Sequence, residues 1–112
     1  MRDPAKPSAV EIGALTGVQL VACADIGDAG ALNAAVDQAV EAAGIPHAFV
    51  SCLGVSRSKH SGPKETFSRG EQYITTVTNV VRAAKRVGTK RFVYMSSGFV
   101  TRPWATMARY GL

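Results

Sequence analysis

The stretch 85–98, KRVGTKRFVYMSSG, restricts the fold more than any other part of the chain. Its run 91–95 is β-branched and aromatic with little alternation of polarity, the pattern of a strand covered on both faces in a parallel α/β sheet. Gly88 is the expected stop for the helix before it. Ser96, Ser97 and Gly98 then fall at the strand's carboxyl edge, where open α/β sheets place their ligands. That edge is the candidate site, although serines at a strand end also commonly satisfy turn backbone.

The remaining segments lead up to this strand. Residues 2–17 carry Pro4 and Pro7, then a weak helical pattern in Val10, Ile12, Ala14 and Leu15 that Gly17 closes. VQLVACA at 18–24 is a continuous apolar run of strand length and is expected to be the first strand. Asp28 is placed to cap a helix in which Leu32, Ala35, Val36, Ala39, Val40 and Ala43 recur at helical spacing before Gly44. HAFVSCL at 47–53 is a second buried strand, ended by Gly54, and 55–68 is a long polar, basic loop. Tyr73, Ile74, Val77, Val80, Val81 and Ala84 mark a second amphipathic helix, with Arg82, Lys85 and Arg86 near its C-terminus, where the macrodipole favours cations.

The order strand, helix, strand, helix, strand is an α/β arrangement of two successive crossover units. Right-handed crossovers progressing one way put both helices on the same side of the sheet. Three parallel strands are expected to lie as neighbours in chain order, because this satisfies their backbone hydrogen bonds. The opposite face of the sheet is then bare, which implies dimerisation, docking into a larger assembly, or poor solubility.

At 112 residues the chain has room for one small domain. Hydrophobic content of 46% against 19% charged residues argues for a globular chain and against disorder. No apolar run approaches the roughly 20 residues of a membrane span, and the opening MRDPAKPSAV lacks the apolar core of a secretory signal. The expected setting is intracellular and cytoplasmic, with an organelle stroma or matrix left open.

Cys23 and Cys52 both lie in apolar strand-like runs and are expected to act as small buried hydrophobes. No CxxC or Cys/His spacing is present and His47 and His60 stand alone, so no metal site is expected. The formal charge of +5 is compatible with attraction to phosphate. Arg57, Lys59, His60, Lys64 and Arg69 cluster in the long loop without interleaved aromatics, which favours a solvated loop over a nucleic-acid or anionic-surface site.

AFVSCLG, followed after a loop by NVVRAAKRVGTKRFVYMSS, resembles the middle of the extended and atypical short-chain dehydrogenase/reductases, most of all the NmrA-like NAD(P)-binding proteins. The resemblance runs from RDPAK near the start to VTRPW near the end. It implies a truncated Rossmann-like domain over 1–112, with helices mainly on one face. In that family, Arg2 would match the arginine that meets the 2′-phosphate of NADP. Asp25 and Ile26 are similar to the pair beside the adenine, Leu53 and Gly54 to the backbone passing the ribose, and Ser96 and Ser97 to the serines that close the fifth strand. Asn79, Ala83, Ala84 and Lys85 fit the helix pattern, whereas Tyr73 stands where a polar Asn or Asp is more usual.

In catalytic members of that superfamily the strand-end serine polarises a substrate carbonyl, a tyrosine 13 residues later donates the proton, and a lysine four residues further on lowers the tyrosine pKa. Ser97 and Tyr110 have this spacing, and the lysine would fall just beyond Leu112. The glycine-rich turn that brings backbone amides to a pyrophosphate would precede the chain. Its nearest internal imitation, Gly27, Gly30 and Asn33, has Asn33 in place of the last glycine and Asp25 and Asp28 where they would repel a pyrophosphate. The resemblance therefore implies a parent domain that uses NADP or NAD to move a hydride to or from an unidentified small carbonyl substrate, with weak or absent dinucleotide binding by this chain alone. The alternative is a non-catalytic redox sensor or assembly protein of the same fold.

Overall fold

A computed structural model describes residues 3–53 and 63–95, with only the backbone for 63–70. Its elements are α1 (Pro7–Gly13), α2 (Ala29–Ala43), β1 (Ala48–Ser51), α3 (Pro63–Arg86) and β2 (Arg91–Tyr94). β1 and β2 pair in parallel, with Ala48 opposite Arg91, Val50 opposite Val93 and Ser51 opposite Tyr94. Met95 extends the ladder by donating its backbone N–H to the Ser51 carbonyl at 2.9 Å. Parallel neighbours need a long crossover, and α3 supplies it.

Chain chemistry sets the helix ends. The Asp28 carboxylate accepts from the Ala31 N–H at 2.8 Å, occupying one of the free amides at the start of α2. Gly44 ends α2 at φ +83°. α3 closes in a Schellman motif: Thr89 N–H donates to the Ala84 carbonyl and Gly88 N–H to the Lys85 carbonyl, each at 3.1 Å. Gly88 sits at φ +80°, a conformation that costs a residue with a Cβ.

The core is one cluster of Cys23, Leu32, Val36, Val80 and Ala83, against which Ile26, Phe49, Leu53 and Val87 pack. It joins α2, α3 and the face of the sheet that carries Phe49. On that same face Tyr73 of α3 meets Tyr94 edge-on, with ring centroids 6.5 Å apart. Side chains alternate across a strand, so Val50, Val93 and Met95 share the other face and are 59%, 46% and 56% exposed. Among the described residues this face of the two-stranded sheet is open, which corrects the reading of these strands as covered on both sides.

Four further expectations change. First, among the described residues the sheet has two strands, and no strand is assigned to 18–24. Within that run Cys23 is buried in the core and Leu20 lies beside Gly13, where a Cβ would lie 2.8 Å from Leu20 Cδ1. Second, α1 begins three residues before Val10 and ends at Gly13, leaving Leu15 exposed. Pro7 opens the helix because its missing N–H costs nothing in the first turn.

Third, residues 63–68 are helical rather than part of a long loop. A proline followed by Lys and Glu suits a helix start and carries no apolar periodicity to reveal it. Lys64 and Arg69 accordingly lie on α3, while Arg57, Lys59 and His60 fall outside the described residues. Fourth, Cys52 is exposed while Cys23 is buried. Following buried Ser51, Cys52 continues the alternation toward the open face.

Candidate nucleotide-binding edge

Of the residues singled out from the sequence, Asp25, Ile26 and Leu53 are described. Arg2, Gly54, Ser96, Ser97 and Tyr110 lie outside the described residues. Leu53 follows the carboxyl end of β1, and Ile26 belongs to the turn that enters α2. Both pack against the same core cluster, so the structure brings these two positions onto one hydrophobic support.

The turn holding Asp25 and Ile26 is tightly bonded. The Asp25 carboxylate accepts from the Gly27 N–H at 2.8 Å, and Asp28 N–H donates to the Asp25 carbonyl at 3.2 Å. Asn79 of α3, only 8% exposed, donates its side-chain amide to the carbonyls of Gly27 at 2.9 Å and Ile26 at 3.3 Å. A buried amide on an apolar helix face needs partners, and Asn79 finds them in the turn that carries Asp25 and Ile26. In the sequence this tether is visible only as a polar residue interrupting an otherwise apolar stripe.

At the start of α2 the Ala31 amide is already committed, as is the Gly27 amide just before the helix. Asp25 and Asp28 carboxylates accept from Gly27 and Ala31. A Cβ on Gly27 would stand 3.0 Å from Asp25 Oδ1, and one on Gly30 would stand 3.2 Å from Asp28 Oδ1. This turn has the geometry of a capped helix start, with carboxylates where a phosphate cradle would need open N–H groups.

A second tie joins α2 and α3 further along. Arg86 forms an ion pair with Asp37 at 2.6 Å and donates to Asn33 Oδ1 at 3.3 Å. Ser51, 3% exposed at the end of β1, has a hydroxyl without a hydrogen-bond partner among the described residues. An apolar groove of about 300 Å³, lined by Val36, Val40, Ala43, Pro46 and Phe49, opens where α2 ends and β1 begins, away from the carboxyl edge.

No protein-family model, curated protein or solved structure matches the chain. Among the described residues no helix is long and apolar enough to cross a membrane.

Proposed function

We propose that this chain is the central part of an NAD(P)-binding, Rossmann-like domain of the short-chain dehydrogenase/reductase type. The parent domain would act as an oxidoreductase, and this piece alone would be inactive. The observation that carries the reading is the parallel β1–α3–β2 unit, whose support under Leu53 is shared with Ile26 in the Asn79-tethered turn. In this reading the carboxyl edge holds the adenosine half of the cofactor, with Asp25, Ile26 and Leu53 near it and Arg2, Gly54 and Ser96 completing the contacts. Ser97 and Tyr110 would serve the substrate carbonyl, and the sheet positions cofactor and substrate while the nicotinamide carries the hydride.

Two linked measurements test this. Intact-mass analysis of the native protein should give a mass well above 11.8 kDa, and that protein should retain NADPH. The 112-residue chain should bind NADPH only weakly, because the Asp25 and Asp28 carboxylates occupy the turn into α2 where a diphosphate would need open N–H groups. A native mass of 11.8 kDa together with micromolar NADPH binding by the chain alone would overturn the reading.

The uncovered face of Val50, Val93 and Met95 favours a second reading, a non-catalytic assembly protein of the same fold. A native protein of unextended mass that is isolated in a stable complex and does not retain dinucleotide would decide for it.

A further inference from the structure

We propose that the apolar groove where α2 ends and β1 begins binds a medium-chain alkyl carboxylate, its tail in the groove and its head beside Arg91. This site lies apart from the carboxyl edge and does not depend on the nucleotide reading.

The tail side follows from how α2 is covered. Leu32 and Val36 are buried in the core, and the same apolar stripe continues through half-buried Val40 to exposed Ala43. The stripe outruns its cover. Pro46, Ala48 and Phe49 form the other wall, leaving a groove of about 300 Å³. That is the lower end of the range for small-molecule sites, which suits one alkyl chain rather than a helix or a strand.

The head side follows from charge. Alternation along the strands puts Arg91 on the face of Ala48 and Val50, which both line the groove, with Ala48 directly opposite Arg91. Exposed Lys90 precedes it, and exposed His47 lies between the groove-lining Pro46 and Ala48. Among the described residues neither Lys90 nor Arg91 makes an ion pair. No carboxylate competes there. Residues 42–53 and 85–95 include no acidic side chain. Of the α2 carboxylates, Asp37 pairs with Arg86 on the α3 side, and Glu41 lies one turn further along that side. An apolar trough with cations at one end complements an anion that carries an apolar tail, and neither a neutral alkyl chain nor a bare phosphate uses both halves.

The test is amide chemical-shift titration of the full 112-residue chain with hexanoate, octanoate and octanol, each below the concentration at which it self-associates. Shifts should centre on Val36, Val40, Ala43 and Phe49. Octanoate should bind about tenfold more tightly than hexanoate, the worth of two buried methylenes. It should also bind about threefold more tightly than octanol, the worth of an exposed ion pair. Arg91→Gln should weaken octanoate and leave octanol unchanged. Ala43→Leu, which fills the groove from an exposed position with another good helix former, should weaken both.

No shift at these four residues with any of the three ligands overturns the proposal. So does equal affinity for hexanoate and octanoate, which would mean that the tail is not buried. Equal affinity for octanoate and octanol, unaltered in Arg91→Gln, removes the carboxylate from the account and overturns it as stated. Shifts at the same residues that grow with protein concentration in the absence of ligand would make a second copy of the chain the occupant instead. If Ala43→Leu does not fold, the chain-length series and Arg91→Gln decide.

Discussion

Asn79 Nδ2 donates to the Gly27 carbonyl at 2.9 Å, a contact between residues 52 apart in sequence that fastens the entry of α2 to the middle of α3. Removing the amide leaves two backbone carbonyls to find other donors next to the core. Asn79→Ala should lower unfolding stability by about 1–3 kcal/mol. Urea denaturation followed by far-UV circular dichroism measures this, and a loss within about 0.5 kcal/mol would mean the tether holds nothing that solvent cannot replace.

The Arg86–Asp37 pair should contribute far less. Its side chains are 43% and 59% exposed, so the attraction is weakened by water and salt. A double-mutant cycle with Arg86→Gln and Asp37→Asn should give a coupling of about 0.2–1 kcal/mol, smaller in high salt. A coupling above about 2 kcal/mol that persists in 1 M salt would require a drier contact than these exposures allow.

Gly88 at φ +80° lets two amides reach back to Ala84 and Lys85. Gly88→Ala should cost about 1–2 kcal/mol, and Gly88→Asn less, because asparagine tolerates the left-handed region. Equal effects of Ala and Asn would show that the loss lies elsewhere than in the backbone angle. Thermal denaturation of both variants makes the comparison.

These elements also mark which parts of the fold were legible in the sequence. Asp28, Gly44 and Gly88 announce helix ends because each acts on its own neighbours, and a cap or a positive φ is decided within five residues. AFVS and RFVY announce strands because an apolar run that short, between a glycine stop and a polar segment, has few alternatives. VQLVACA has the same local character, and what decides its state is a neighbouring strand, which is not a property of the run. The start of α3 at Pro63 was hidden because its first turns carry no apolar stripe. Asn79 read as part of a helix pattern, and its partners in the Asp25–Asp28 turn became apparent only once α2 and α3 were packed together.

Exposure of the two cysteines gives an independent check on the sheet's faces. Cys52 is exposed and Cys23 is 6% exposed within the core cluster. One thiol should react promptly with a maleimide in native buffer, and the second only after denaturant is added. Prompt reaction of both would place 18–24 outside the core, and protection of both would mean that something covers the face carrying Val50 and Val93.

Central to the proposed function is a nucleotide site at the carboxyl edge of the parallel pair, beside the tethered turn. Mapping backbone amide shifts of the chain against AMP tests it most directly. Shifts should be confined to Asp25, Ile26, Gly27 and Leu53 together with Arg2, Gly54 and Ser96 and should saturate at millimolar ligand, about −4 kcal/mol of binding. Shifts at Ala43 and Phe49 around the apolar groove, or none anywhere, would contradict it.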